Sequence, residues 1–218
     1  MANNLVEKSN KASQSTWEFR AVGGHRSQAK KHTKEYFDDI TNYRYGYETP
    51  FISKVFNFNN LKDKSVLEIG VGHGIDAVLM MKSGAIYSGI DITENHINLT
   101  KENIELSFEK SCMDKNFKKL ILGEITDTSF DDKYDVVYSF GVLHHIEHEL
   151  NVLRKIKSIL KEDGELRFSV YASKSFFSIY MFFTWIFKNR MRNTLNEWVS
   201  HLAEDSEINE PVVIKIRS

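Results

Sequence analysis

A glycine-rich turn and a strand-ending carboxylate are the residues of this sequence whose types and spacing best suit chemistry. An apolar run from Val66 to Ile69, with Glu68 inside it, leads into Gly70-Val71-Gly72-His73-Gly74. Glycines let a backbone adopt positive φ and approach a ligand closely, and a following helix presents unpaired N–H groups. Asp91 ends the next apolar run, where a carboxylate can accept hydrogen bonds from both hydroxyls of a ribose. Together these features predict a nucleotide-type site.

The turn and the carboxylate leave the kind of nucleotide open. The stretch Gly72-His73-Gly74-Ile75-Asp76-Ala77 fits the G-x-G-x-x-A spacing of a dinucleotide-binding turn. At this point a nicotinamide-dependent oxidoreductase is therefore a second interpretation.

Three further features favour another class of protein. Glu68 lies two residues before the first glycine, Gly123-Glu124 follows a third apolar run, and a fourth run, Tyr134 to Phe140, is followed by Leu143-His144-His145-Ile146. In this combination the sequence resembles the small-molecule branch of the class I S-adenosylmethionine-dependent methyltransferases. The resemblance extends from roughly Leu61 to Tyr171, about half of the chain.

The resemblance implies which residues face the methionine and ribose parts of S-adenosylmethionine. Glu68, Gly70 and Gly72 would border the methionine part. Asp91 would bind the ribose hydroxyls, and Phe140 would present its carbonyl oxygen to the methionine ammonium.

The resemblance also implies an adenine site. Ile92 would pack on the adenine ring, while Glu124 and Ile125 occupy the place of an acidic residue and a backbone N–H that face the adenine edge. The family often has aspartate where this chain has Glu124.

The histidine pair is the candidate proton acceptor, with His145 preferred over His144. Both follow the fourth predicted strand at the carboxyl edge of the sheet, and we expect them at the start of the next helix, whose dipole disfavours imidazolium. A metal is the alternative, because His144-His145-Ile146-Glu147-His148 matches the H-x-x-E-H pattern of one zinc peptidase class. Such sites need this pattern well within a helix and a third ligand, so we expect no metal here.

The predicted function is S-adenosylmethionine-dependent methylation of a small-molecule acceptor, most simply at oxygen, by a histidine-assisted in-line displacement. The alternatives are an N- or C-methyltransferase acting on an apolar or lipid-like acceptor, a nicotinamide-dependent oxidoreductase, and a non-catalytic binding subunit with a methyltransferase fold.

Composition narrows the partners and the compartment. The 218 residues carry 29 basic and 30 acidic side chains, a net charge of −1, which argues against nucleic acid as a partner. Cys112 is the only cysteine and the first residues lack the apolar core of a signal peptide, so we expect a reducing, cytoplasmic location. The apolar stretch Phe176 to Phe187 is shorter than the roughly 20 residues of a membrane span, so no span is expected.

Short apolar runs alternate with amphipathic stretches, which predicts an α/β fold with a doubly wound, mainly parallel sheet, the Rossmann-like methyltransferase fold. The predicted strands are Ser65 to Ile69, Ile86 to Ile90, Leu120 to Leu122, Tyr134 to Phe140 and Glu165 to Tyr171. Two apolar helix stripes would cover this sheet: Ile97, Ile104 and Phe108, and then Ile146, Leu150, Leu153, Ile156 and Leu160.

We expect one structural domain in three parts. Residues 1–60 form an N-terminal cap or lid with a short helix, 61–172 the S-adenosylmethionine-binding core, and 173–218 a C-terminal helical segment with a last strand, Val212 to Ile216. The family usually closes its sheet with an antiparallel hairpin, and this tail offers only one strand. The C-terminal apolar helix and the sheet edge are therefore two surfaces for a homo-oligomer.

Overall fold

A computed structural model describes residues 23–146, 148–170 and 176–187 of the chain. Residues 23–139 and 150–167 form one compact unit, and the described residues within 140–149 and 168–187 belong to a second. The predicted strand Val212 to Ile216 lies outside the described residues.

Five strands form one sheet in the order β3-β2-β1-β4-β5. Strand β1 is parallel to β2 and to β4, and β2 is parallel to β3. The predicted α/β class with a mainly parallel sheet is confirmed. The strand bounds are β1 Ser65–Ile69, β2 Ile86–Asp91, β3 Phe117–Leu122, β4 Tyr134–Phe140 and β5 Leu160–Ser169.

Seven α-helices surround these strands within the described ranges. They are α1 Lys34–Tyr43, α2 Ile52–Val55, α3 Ile75–Lys82, α4 Glu94–Ser107, α5 Lys110–Asn116, α6 Glu149–Ile159 and α7 Phe176–Phe187. A π-helical turn, Arg44–Glu48, extends α1, and short 3-10 turns lie at Gly24–Arg26, Phe58–Asn60 and Leu143–His145.

The two strands at the ends of the sheet order differ most from the sequence prediction. Strand β3 begins at Phe117 instead of Leu120, and β5 spans Leu160–Ser169 instead of Glu165 to Tyr171. Their added residues include lysines and acids that are partly or fully exposed. An edge strand tolerates polar side chains, so an apolar run marks only part of its length.

Helix α6 buries a different face from the one predicted. Val152, Ile156 and Ile159 are buried, whereas Leu150 is 66% exposed and Leu153 is 40% exposed. At about 100° per residue, Leu150 lies about 120° around the helix from Ile156. A stripe through Leu150, Leu153 and Ile156 therefore drifts off the buried face, and that prediction was wrong for both leucines.

Helix α4 is buried through a mostly polar face. His96, Thr100 and Asn103 are buried beside Leu99 and Ile104. Of the predicted apolar stripe, only Ile104 is fully buried, while Ile97 and Phe108 are partly buried. The spacing of apolar residues does not predict this face, because its polar side chains are buried and form hydrogen bonds that are described below.

The short helix predicted in the N-terminal cap is α1. Thr33 accepts a hydrogen bond from the backbone N–H of Tyr36 and so caps the helix. The buried side chains of α1 form a core cluster with one residue of α3 and one of α4; its members are Tyr36, Phe37, Ile40, Ile75 and Leu99. A further contact fixes the chain after α2, because Arg167 of β5 donates hydrogen bonds to the carbonyl oxygens of Phe56 and Asn57.

Helix α7 presents an apolar surface. Ile179, Tyr180, Phe182, Phe183 and Phe187 are between 44% and 73% exposed, whereas the polar Thr184 is buried. In the part of the chain that the structure describes, no helix is both long and apolar enough to cross a membrane.

Gly74 sets the distance between the glycine-rich turn and α4. Its φ is +69°, and a Cβ atom there would lie 2.8 Å from the Cα atom of Thr100. Any side chain at this position would therefore be strained and would also push α4 away from the turn.

We predict that Gly74→Ala lowers the free energy of unfolding by at least about 2 kcal/mol, because left-handed strain and the clash with Thr100 add. Gly46→Ala is the matched control: Gly46 has no left-handed φ and a Cβ there meets nothing within 4 Å. Its effect should stay within about 0.5 kcal/mol. Urea denaturation followed by circular dichroism measures both, and equal stabilities for the two variants would contradict this account of Gly74.

Candidate functional site

Helix α4 binds the glycine-rich turn after β1 through two side-chain hydrogen bonds. The Thr100 hydroxyl donates to the carbonyl oxygen of Gly72 at 3.2 Å, and the Asn103 amide donates to that of His73 at 2.9 Å. Gly72 has a φ of +53°, and a Cβ there would meet nothing within 4 Å. The turn is thus rigid on its α4 side and open at Gly72, which suits close approach of a ligand.

Asp91, at the end of β2, is a buried carboxylate with four hydrogen-bond donors. Its Oδ2 accepts from the Val71 N–H at 2.9 Å and lies 3.1 Å from His96 Nδ1. Its Oδ1 accepts from the backbone N–H and the hydroxyl of Thr93, both at 3.0 Å. Burial alone would raise the pKa of Asp91, but the hydrogen bonds from His96 and Thr93 outweigh burial and hold this pKa below its ordinary value. Asp91 is therefore ionised at neutral pH.

The predicted adenine-side residues follow the same edge of the sheet. The Gly123 N–H donates to the Asp91 carbonyl oxygen at 2.8 Å, which fixes the exit of β3 beside the exit of β2. Ile125 is buried and Ile92 is partly buried. Burial, with a smaller contribution from the charge of Asp127, raises the pKa of Glu124.

A second buried network surrounds Asp76, in the first turn of α3. Arg44 donates to both carboxylate oxygens of Asp76, at 3.1 and 2.6 Å. The hydroxyls of Tyr45 and Tyr138 donate to the same carboxylate. Burial raises the pKa of Asp76, but the charge and hydrogen bonds of Arg44 and the hydrogen bonds of the two tyrosines outweigh burial, so the net shift of this pKa is downward.

Glu68, inside β1, differs from Asp76 in the direction of its pKa shift. It accepts a hydrogen bond from the Tyr87 hydroxyl at 2.6 Å, in space that a side chain at Gly89 would fill. Burial and then the negative charge of Asp76 raise the pKa of Glu68 well above its ordinary range. Two neighbouring carboxylates therefore have pKa values moved in opposite directions, a pattern concentrated at functional sites.

The cap contacts the glycine-rich turn through His73. The ring of His73 is buried, and its Nε2 lies 3.0 Å from the Tyr36 hydroxyl of α1. The rings of Tyr36 and Phe37 pack against the His73 ring. A Cβ at Gly24 would lie 2.7 Å from the Tyr36 hydroxyl, so the chain before α1 closes over this contact.

The histidine pair lies in the 3-10 turn Leu143–His145, within the second unit. His144 is buried and His145 is partly buried, with their ring centroids 4.1 Å apart. Helix α6 begins only at Glu149. The expectation that these histidines start that helix was wrong, and its dipole gives no reason for a neutral imidazole, because a helix dipole acts only within its first turn.

The structure brings together seven of the eight predicted cofactor residues within one unit, at the ends of β1, β2 and β3: Glu68, Gly70, Gly72, Asp91, Ile92, Glu124 and Ile125. Phe140, at the end of β4, is partly buried and belongs to the second unit with the histidine pair. Within the described ranges, no group of three or more His, Cys, Asp or Glu residues is arranged to hold a metal ion.

Sequence reasoning missed the residues that support the turn and the two carboxylates, namely Arg44, Tyr45, His96, Thr100, Asn103 and Tyr138. One signal was present: His96, Thr100 and Asn103 are spaced i, i+4, i+7, which places polar side chains on one helix face. Arg44 and Tyr45 carry no comparable pattern, because their partner Asp76 is more than 30 residues away in the chain.

The sheet order, the glycine-rich turn and the acidic end of β2 are typical of a parallel α/β domain with a nucleotide-type site at its carboxyl edge. A family model described as a methyltransferase domain matches residues 40–209. The chain therefore belongs to this family of methyltransferase domains, and the resemblance to class I methyltransferases is confirmed.

Two relatives of this chain are also methyltransferases, in agreement with this family. The chain is 29% identical over 114 residues to the ubiquinone biosynthesis O-methyltransferase of Actinobacillus pleuropneumoniae serotype 7, covering 51% of this chain and 47% of that protein. It is 33% identical over 110 residues to that of Glaesserella parasuis serovar 5, covering 50% and 45%. The chain thus spans about half the length of these relatives.

Solved structures agree at the level of the fold. Magnesium protoporphyrin IX methyltransferase from Synechocystis PCC 6803, solved with bound S-adenosylmethionine, matches with a TM-score of 0.55 over 77% of this chain and 78% of that one, at 15% identity. The same protein with bound S-adenosylhomocysteine matches with a TM-score of 0.54 at 16% identity, covering 89% and 81%.

We predict that Arg44→Met lowers the free energy of unfolding by about 3–5 kcal/mol at pH 7, because Asp76 is left as an unpaired buried charge. The lowered pKa of Asp76 stabilises the wild-type fold above about pH 4, and this contribution is lost as the pH falls through the lowered pKa. In the variant, burial still raises the pKa of Asp76, and the charge of Arg44 no longer lowers it. The difference in free energy of unfolding between wild type and variant should therefore grow between about pH 4 and pH 7.

Urea denaturation at both pH values tests this prediction. Arg154→Met is the control, because Arg154 is exposed and donates only to Asn151 among the described residues. Adding Asp76→Asn to Arg44→Met should recover part of the loss at pH 7. A loss that is the same at both pH values would refute a role for the charge of Asp76.

Proposed function

We propose that this chain binds S-adenosylmethionine at the ends of β1, β2 and β3 and methylates a hydroxyl group of a small-molecule acceptor. The observation that carries the proposal is the ionised, buried Asp91 beside a glycine-rich turn that is open at Gly72. A carboxylate in this place suits a ribose, and the open turn suits a ligand lying across the strand ends.

The residues present fit this cofactor. Asp91 would hold the ribose, and the adenine would lie against Ile92, near Glu124 and the backbone N–H of Ile125. Gly70 and Gly72 would border the methionine part, and the Phe140 carbonyl oxygen would accept from its ammonium. Glu68 would line the cofactor site without forming an ion pair with the cofactor, because its raised pKa favours the neutral form.

The cofactor supplies a methyl group on a positively charged sulfur, which makes that carbon electrophilic. The chain then has to align the acceptor with that methyl group, exclude water and take up the acceptor proton. We assign proton uptake to His145, whose partly buried ring can contact a ligand and packs against the buried ring of His144. His144 would fix the orientation of that ring.

Oxygen is the proposed target of methylation because the two relatives described above are O-methyltransferases of ubiquinone biosynthesis. N- or C-methylation of an apolar or lipid-like acceptor is the second candidate. The exposed aromatic face of α7 favours an acceptor with an apolar part, since α7 belongs to the same unit as the histidine turn.

The remaining expectations on partners and location stay predictions. The net charge of −1 argues against nucleic acid as a substrate. Light scattering of the protein in solution would measure whether two copies associate through α7 or a sheet edge. A cytoplasmic location stays an expectation from the single cysteine.

We predict that Asp91→Ala weakens S-adenosylhomocysteine binding by roughly 1.5–3 kcal/mol, because charge-assisted hydrogen bonds to the ribose are lost. Isothermal titration calorimetry measures the affinity, with circular dichroism to show an intact fold. Asp132→Ala is the control, since Asp132 is paired only with Lys118 and Lys119 among the described contacts and should leave binding unchanged. NAD, titrated in parallel, should not bind. Unchanged affinity in a folded Asp91→Ala protein would remove the basis of the proposal.

We predict that His145→Ala lowers turnover of a hydroxyl acceptor by roughly 10²–10⁴-fold and leaves S-adenosylhomocysteine affinity nearly unchanged. The assay measures S-adenosylhomocysteine release with a panel of phenols, catechols, alcohols and amines. His148→Ala is the control, because His148 is exposed and lies three residues away. Near-normal turnover of a phenol by His145→Ala would return the pair to a structural role, and absence of turnover across the panel would favour a non-catalytic binding subunit.

A further inference from the structure

The side chains of α7 that the structure describes as exposed are all apolar. They are Ile179, Tyr180, Phe182, Phe183 and Phe187. The helix contains no charged residue along its whole length, FFSIYMFFTWIF. At about 100° per residue, the five exposed side chains spread over roughly 160° of the helix circumference. An apolar surface of this width is unfavourable in water and marks a place where a partner binds.

Aromatic rings make this surface continuous. The rings of Phe183 and Phe187, about one helical turn apart, are stacked with their centroids 6.3 Å apart. The ring of Phe182 packs against those of Phe183 and Trp185, with a centroid distance of 6.0 Å in both pairs. Aromatic side chains are typical of helices that lie at the boundary between lipid headgroups and acyl chains. The composition of α7 therefore suits a lipid surface.

The charges that flank α7 in the sequence are all positive. From Phe168 to Asn196 the chain has no aspartate or glutamate, although about one residue in seven of the whole chain is acidic. The same stretch contains four basic residues, namely Lys174, Lys188, Arg190 and Arg192. Each lysine or arginine close to an anionic bilayer adds to the attraction between protein and membrane. An apolar helix with only basic neighbours therefore favours a lipid surface that is negatively charged.

Two other occupants of this surface fit the charges or the length of α7 less well. Docking α7 against α7 of a second copy would add a second set of basic residues and no acidic partner for them, and like charges repel. The 12 residues of α7 rise about 18 Å along the helix axis, whereas the hydrocarbon core of a bilayer is about 30 Å thick. Helix α7 is thus long enough to lie on a bilayer and too short to cross it.

We propose that the exposed face of α7 binds the surface of an anionic lipid bilayer, with the helix axis parallel to the membrane plane. Phe182, Phe183 and Phe187 enter the boundary between headgroups and acyl chains, and the flanking basic residues attract the lipid phosphates. This binding needs no cofactor and is separate from the proposed methyl transfer. It would bring the protein to the place where an acceptor with an apolar part accumulates.

The test is flotation of the full chain with lipid vesicles in a density gradient. Vesicles of phosphatidylcholine with about 30% phosphatidylglycerol are compared with vesicles of phosphatidylcholine alone. Wild type should bind the anionic vesicles at least about 10-fold more tightly, because the basic residues contribute only there. Raising the sodium chloride concentration from about 0.1 M to about 0.5 M should weaken this binding at least about 5-fold by screening.

The informative variant is Phe182→Ser with Phe183→Ser. It should bind anionic vesicles at least about 10-fold more weakly, because two large apolar side chains no longer leave water. Leu150→Ser with Leu153→Ser is the matched control: it removes two exposed apolar side chains from α6 and should bind within about 2-fold of wild type. Phe187→Ser is measured in parallel as a milder change, with an expected loss of about 3- to 10-fold. Circular dichroism shows that each variant is folded.

The charges are tested by Lys188→Gln with Arg190→Gln. This variant should bind anionic vesicles about 5- to 20-fold more weakly and phosphatidylcholine vesicles as wild type does. Four results would overturn the proposal. They are no binding of wild type to anionic vesicles, equal binding to both kinds of vesicle, unchanged binding of the folded Phe182 and Phe183 variant, and a wild-type dimer in light scattering that this variant turns into a monomer while no vesicle is bound. The last result would make the face of α7 an interface between two copies of the chain.

Discussion

The hydrogen bonds to the Asp91 carboxylate are the contacts on which the rest of the site depends. They join the glycine-rich turn, through Val71, to the residue that precedes α4, Thr93, and to the first turn of α4, through His96. Helix α4 then holds the same turn from the other side, through Thr100 and Asn103. The ionised state of Asp91 is therefore both a structural requirement and a binding property, since the anion that orders these segments is the one that would receive a sugar.

The second buried carboxylate, Asp76, has a different role. It is satisfied by Arg44 and by two tyrosine hydroxyls, and so it attaches the turn after α1 to the first turn of α3. Burial of an ion pair gives little net stability, but removal of one partner is strongly unfavourable. The arrangement therefore specifies one position for the cap more than it strengthens the fold. Its negative charge also helps to raise the pKa of Glu68, so the electrostatics of the cap and of β1 are linked.

The parts of the structure that the sequence predicted correctly are those marked by a pattern of neighbouring residues. The bounds of β1 and β4 agree with the apolar runs, and the glycine-rich turn with Asp91 lies where its spacing indicated. The buried face of α4 could not be predicted from hydrophobicity, because His96, Thr100 and Asn103 become buried only through partners elsewhere. The leucines of α6 were misplaced since a spacing of three residues drifts around a helix. The strands and the turn that carry the candidate cofactor residues were thus predictable from the sequence, while the side chains that support them were not.

The hydrogen bonds of Arg167 have a consequence for the order in which the chain can assemble during synthesis. The guanidinium lies 111 and 110 residues after the carbonyl oxygens of Phe56 and Asn57 that it binds. At a translation rate of roughly 5–20 residues per second, those carbonyls are made some 5–20 s before Arg167 is made. The segment after α2 also packs on Tyr138 of β4 through the rings of Phe56 and Phe58, and the hydrogen bonds of Arg167 are added only after β5 has been made. A nascent chain stopped before β5 would therefore lack these two hydrogen bonds and hold this segment by its aromatic contacts with β4 alone.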